Sequence, residues 1–132
     1  MTRTESETNG AQARLWNARV GEVWVEQQEM LDRLFRPFEG TLVDAVDQWG
    51  AGEVVDVGCG AGATALAVAR HLAGRGRCTG VDISAPLIEA ARRRAGTERL
   101  DNCRFIAADA QQHPFEPGSF DAVISRFGIM FF

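Results

Sequence analysis

The stretch "VVDVGCGAGATA", residues 54–65, sets an apolar run with one acid, Asp56, ahead of Gly58, Gly60 and Gly62. A short apolar run of this kind reads as a buried strand. Glycines at its end permit positive φ and leave no Cβ between the backbone and a ligand. "ATALAVARHLA" (63–73) follows, an Ala-rich helix packed closely on a sheet and closed by Gly74 and Gly76. Strand, glycine loop and helix in this order suit a nucleotide-like ligand, and a nicotinamide dinucleotide is one occupant the letters allow. By itself the Gly58, Gly60, Ala63 spacing is also compatible with a tight turn.

Downstream the alternation continues. "RCTGVDI" (77–83) is a second strand, and Ser84 is the N-cap of a helix from Ala85 to about Ala95, with Pro86 in its first turn. "CRFIAAD" (103–109) is a third strand, "QQHPFEPGS" a loop, and "FDAVISRF" (120–127) a fourth strand. The β-α-β-α-β-β succession implies an α/β fold, a doubly wound parallel sheet with right-handed crossovers. In such sheets ligands sit beyond the carboxyl ends of the strands, where the strand order reverses. Asp82 stands there, about 20 residues after the glycine loop, where an acid can accept both hydroxyls of an adenosine ribose. Asp109 repeats the placement after the third strand.

Upstream, residues 1–13 are small and polar and read as a tail. Residues 14–50 form a helical segment. Val23, Met30, Leu31, Leu34 and Phe35 keep helical spacing, with Gln27 the one miss. Pro37 is expected to interrupt this helix, and a second one runs from Thr41 to Trp49 until Gly50 and Gly52. Residues 51–132 are the sheet domain. The final "FGIMFF" is apolar, so the domain reads as cut after its fourth strand.

With 132 residues the chain makes one domain with a core. Its net charge of −4 argues against a nucleic-acid partner. Arg92–Arg94, the one basic run, reads as a solvated helix face. Cys59, Cys78 and Cys103 are scattered and odd in number, which argues against a disulfide framework or zinc site and points to a reducing cytoplasm. No window is long and apolar enough for a membrane span, and "MTRTESETNG" is no signal peptide.

Taken together, "VVDVGCGAGATA", "GVDIS", "AADAQQHPF" and "FDAVISRFGIMFF" resemble the class I S-adenosylmethionine-dependent methyltransferases. The likeness is to the small-molecule branch related to ubiquinone and menaquinone methyltransferases, and it extends to "LWNARVGEVWVEQQEMLDRLF". The family's first motif, an acid followed by G-x-G-x-G, is filled by Asp56, Gly58, Gly60 and Gly62. A nicotinamide enzyme needs neither the acid nor the third glycine. The resemblance implies a Rossmann-like fold, strand order 3-2-1-4, and S-adenosyl-L-methionine as cofactor. It also implies roles: the loop Gly58, Cys59, Gly60 and Gly62 under the methionine part, and Asp56 near its amino group. Asp82 would take the ribose hydroxyls and Ile83 one face of the adenine. Asp109 and the Ala110 backbone would meet the adenine edge, and the Ser125 carbonyl the methionine ammonium.

The cofactor carries an activated methyl group, so the protein's task is alignment of a small-molecule acceptor. No catalytic base and no metal are expected. His113 reads as a solvated loop residue and His71 as structural, while Arg126 could hold an anionic acceptor or form a salt bridge. An apolar fourth strand at a sheet edge also suggests a homo-oligomer, or a cover supplied by the N-terminal helices. A nicotinamide-dependent oxidoreductase and a non-catalytic binding module are the alternatives.

Overall fold

The computed structural model describes residues 5–128. Three helices, α1 (Glu5–Asn17), α2 (Arg19–Glu26) and α3 (Gln28–Gln48), precede an alternating series. That series is β1 (Glu53–Val57), α4 (Ala63–Leu72), β2 (Arg77–Asp82), α5 (Ala85–Thr97), β3 (Cys103–Ala107) and β4 (Ala122–Ile124). The strands form one parallel sheet in the order β3-β2-β1-β4, as the resemblance implied. Val54 pairs with Cys78 and Ala122, and Val81 pairs with Val57 and Ile106, which aligns the carboxyl ends of β1 and β2.

The main core lies on one face. Val54, Cys78, Phe105 and Ile124 of the strands meet Ala65, Leu66, Val68 and Ala69 of α4 and Ile88 and Ala91 of α5. Burying a side chain of Leu or Ile size contributes about 1.5–3 kcal/mol, so this face dominates the stability of the sheet. The opposite face carries a smaller cluster, in which Phe115 and Phe120 of the loop before β4 pack on Val55, Val57 and Val81. Asp121 fastens the start of this edge, its carboxylate accepting the N–H groups of Gly52 and Glu53 (2.9 and 2.8 Å).

Three expectations are corrected. The stretch read as a polar tail is helical from Glu5 onward, because Asn9, Gln12 and Trp16 of α1 border the cleft described below and tertiary contact outweighs weak propensity. Pro37 lies inside a continuous α3, and the helical run breaks instead at Gln27 (φ −96°, ψ 15°), the residue that missed the apolar spacing. Proline removes one helical hydrogen bond, but Leu42, Val43 and Val46 pack α3 on the core beyond it, and Phe35 and Phe38 pack with Phe127. Arg92–Arg94 is not simply a solvated face, since Arg92 and Arg94 bond backbone carbonyls of the sheet and glycine loop. α3 does end as read: with Gly50 at φ +61°, the N–H groups of Gly50 and Ala51 return to the carbonyls of Asp47 and Val46. Residues 129–132, the apolar end taken as a sign of truncation, lie outside the described residues.

Candidate functional site

The three glycines of the loop all have positive φ, and their surroundings differ. The N–H groups of Gly58 and Cys59 both donate to the carbonyl of Val81 (2.8 and 3.1 Å), which turns the chain sharply off β1. A Cβ on Gly58 would meet Gly128 Cα at 2.6 Å, so this glycine admits the segment after β4. A Cβ on Gly62 would meet the Phe105 ring at 2.8 Å and Ala91 at 3.0 Å. Gly80 in β2 faces the same ring, so Phe105 occupies the space of two missing side chains. Around Gly60 there is open space, and its N–H donates to Asp82 Oδ2 (2.9 Å).

Asp82 ends β2. Its second oxygen accepts the N–H of Ser84 (2.8 Å), so the carboxylate links the glycine loop to the start of α5. Burial raises its pKa, and the N–H donors of Ser84, Gly60 and Ile83 oppose that rise. Asp109, after β3, accepts the N–H of Gln111 (3.0 Å) on Oδ1. Asp56 shares a sheet face with Val54 and is shut off from solvent. Neither of its oxygens has a hydrogen-bond partner. Burial pushes its pKa up to about 7; Arg126 opposes the rise and Asp82 adds to it.

The N-terminal helices roof this floor. Trp16 and Trp24 meet edge to face with centroids 5.4 Å apart. Asn17 donates to the carbonyl of Ile83 (2.9 Å) and accepts from the N–H of Ala85 (2.8 Å), and Ser84 Oγ donates to the carbonyl of Trp16 (2.6 Å). Ser84 also caps α5 as expected, accepting from the N–H of Leu87. On the other side Arg94 joins the carbonyl of Ala61 (2.9 Å) to Asp32 of α3 (2.7 Å). The cleft between roof and floor has a volume of about 540 Å³, a size that fits a drug-sized ligand.

Of the residues singled out from the sequence, Gly58, Gly60, Asp82, Ile83, Asp109 and Ala110 line this cleft together. Asp56, Cys59, Gly62 and Ser125 are not among its lining residues. Cys59 is buried with its thiol pKa raised by burial, and Ser125 Oγ donates to the carbonyl of Val57 (2.8 Å). His113 packs on Phe115 (centroids 4.5 Å apart), and His71 bonds Asp47 of α3 (2.9 Å). Sequence reading missed Asn9, Gln12, Trp16, Trp24, Asp32 and Phe35, which also line the cleft. Trp16 and Trp24 fall within "LWNARVGEVWVEQQEMLDRLF", the stretch to which the resemblance extends, but no spacing rule assigns a helix face to a cleft in another part of the chain.

The residues fit the implied cofactor. Gly60 leaves open space beside Asp82 and Asp109, and unpartnered carboxylate oxygens stand beneath the loop at Asp56. Among the described residues no cluster of His, Cys, Asp or Glu could hold a metal ion, and no helix is long and apolar enough to cross a membrane.

Comparison with known proteins agrees with this geometry. The methyltransferase-domain family profile matches residues 54–132. Aklanonic acid methyltransferase DauC of Streptomyces sp. (strain C5) is 30% identical over 120 residues, covering 88% of this chain and 54% of that protein. Demethylmenaquinone methyltransferase of Staphylococcus aureus (strain MRSA252) is 32% identical over 77 residues, covering 58% of this chain and 31% of that protein. The chain thus spans about half, or less, of these relatives. The fold is also that of magnesium protoporphyrin IX methyltransferase from Synechocystis PCC 6803, solved with bound SAM. That structure has a TM-score of 0.69 at 18% identity over 94% of this chain and 64% of its own. The glycine loop, the acids that follow the strands and the matched family together establish that this chain belongs to the class I S-adenosylmethionine-dependent methyltransferases.

Proposed function

We propose that the cleft binds S-adenosylmethionine and that the protein transfers its methyl group to a small-molecule acceptor. The observation that carries this reading is the joint placement of Gly60, Asp82, Ile83 and Asp109 on one wall of a roofed cleft. Asp82 has one oxygen on Gly60 and one on Ser84. Each retains a lone pair, so the carboxylate can accept ribose hydroxyls without giving up the loop. Ile83 offers an apolar face to a purine, and Asp109 keeps Oδ2 for an exocyclic amino group. Asp56, whose pKa lies near neutrality, can ionise when a cationic ammonium approaches and so recover part of its desolvation cost.

The cofactor, when bound, supplies a methyl group on a sulfonium, so transfer forms a bond to the acceptor atom and leaves a neutral thioether. The chain's own contribution is alignment and the exclusion of water. Trp16, Trp24 and Phe35 close the cleft over the floor. The names of the similar proteins support a small organic acceptor, aklanonic acid for one and demethylmenaquinone for another.

Calorimetric titration with S-adenosylhomocysteine tests the reading. Micromolar binding, about −8 kcal/mol, is expected, with a loss of roughly 10- to 100-fold in Asp82→Ala. A folded protein that gives heat with NADH and none with S-adenosylhomocysteine would overturn it in favour of a nicotinamide site.

A further inference from the structure

Among the described residues, four charged side chains line the cleft, and three of them are engaged. Asp32 is paired with Arg94, Asp82 accepts from Gly60 and Ser84, and Asp109 accepts from Gln111. The fourth is Arg126, just beyond β4. Its Nη1 is sealed from solvent and has no hydrogen-bond partner, and no described residue forms an ion pair with it. Its guanidinium lies over the Phe35 ring, 4.9 Å from the centroid. Asp56 is near enough for its pKa to be lowered by the arginine, yet it makes no bond to it.

Arg126 is half-buried, and a guanidinium nitrogen sealed from solvent with no hydrogen-bond partner is costly, so a site that keeps one is complementary to an anion. The guanidinium fork matches a carboxylate in two parallel hydrogen bonds, and the aromatic ring beneath it fixes the plane of the fork. Arg126 stands at the end of β4, across β1 from the Asp82 and Asp109 wall. The group it would meet is therefore not the nucleoside. We propose that Arg126 is the carboxylate-binding residue of the cleft, holding the carboxylate of a ligand against Phe35. This rests on the cofactor reading above. Two sources offer that chemistry, the amino-acid end of the cofactor and an aromatic carboxylate acceptor.

Calorimetry on the full chain separates them with three probes: S-adenosylhomocysteine, 5′-methylthioadenosine (the nucleoside without the amino-acid end), and 2-naphthoate paired with neutral 2-naphthamide. If the cofactor supplies the carboxylate, Arg126→Gln weakens S-adenosylhomocysteine roughly 10- to 100-fold and leaves 5′-methylthioadenosine unaffected. If the acceptor supplies it, Arg126→Gln leaves both nucleosides unchanged. In that case it abolishes binding of 2-naphthoate to the S-adenosylhomocysteine complex but not of 2-naphthamide. Arg126→Lys keeps the charge, serves as the folding control and restores part of the affinity in either case. Unchanged affinity for both nucleosides, with no naphthoate binding that depends on Arg126, overturns the proposal and leaves the arginine as a counter-ion to Asp56. Should the folded wild-type chain bind neither nucleoside, the cofactor reading fails, and naphthoate titrated alone still tests Arg126.

Discussion

Gly60 and Gly62 share positive φ but face different neighbours, and alanine at each has a different expected outcome. Gly62→Ala drives a methyl group into Phe105 and Ala91 and strains the backbone as well, so a loss of about 2–4 kcal/mol is expected in urea unfolding. Gly60→Ala meets open space and strains only the backbone, about 1 kcal/mol, but it narrows the cleft beside Asp82. It should fold and bind S-adenosylhomocysteine more weakly. Equal destabilisation by both substitutions would refute the division of labour between a packing glycine and a ligand glycine. Asp56 makes a pH prediction. Its native pKa of about 7 lies above the ordinary 3.8, so the group contributes nothing when both states are protonated. Between pH 4 and 7 the unfolded chain loses the proton while the native state keeps it. Stability of the ligand-free protein should therefore fall across that window, by on the order of 4 kcal/mol from this residue, and then level off. Comparing Asp56→Asn with wild type at pH 5 and pH 8 checks it; an identical decline in both proteins would sink the assignment.

Among the elements, α5 carries the clearest test. Its N-terminus is capped by Ser84, but it ends on Arg99 at φ +55°, where the N–H groups of Arg99 and Leu100 return to the carbonyls of Gly96 and Ala95. This is the closing geometry that α3 makes with Gly50. Arg99→Gly should therefore raise stability by about 0.5–1 kcal/mol, visible as a higher thermal midpoint. Ser84 is the opposite case, since its hydroxyl both caps α5 and donates to Trp16 of α1. Much at this scale was legible beforehand. Ser84, the glycine terminators and the first three strands were read correctly because each depends on contacts within a few residues, whereas the fourth, read over 120–127, is a strand only at Ala122–Ile124, where it pairs with β1. Pro37 was misread because local chemistry argues for a break, whereas the packing of Phe35 and Phe38 with Phe127 involves a partner far along the chain.

Taken whole, the molecule is a sheet domain whose cleft is completed by helices from the chain's other end. Trp16 and Trp24 stand on that cleft, whereas Trp49 is largely exposed away from it. S-adenosylhomocysteine should change the tryptophan emission of the wild type. Trp24→Phe should remove much of that change and Trp49→Phe little of it. If Trp49→Phe abolishes the signal instead, the roof is not where the ligand binds.

From the sequence came the parallel α/β sheet, read from the succession of its elements, while the strand order was what the family resemblance of its motifs implied. Glycine at a strand end and an acid after the next strand are constraints of backbone geometry, and they show directly as letters and spacing. The tertiary structure alone decided which glycines make room for Phe105 and which borders the open cleft, and that Asp56, Cys59, Gly62 and Ser125 do not line it. It also decided that residues 9–35 supply the roof, and that Arg126 faces the cleft over the Phe35 ring with no ion pair to a described residue. These depend on which surfaces meet after folding, and helices α1–α3 meet the floor through bonds such as Asn17 to Ile83 and Asp32 to Arg94. No local pattern in either partner encodes such a pairing, because the energy that selects it belongs to both segments together.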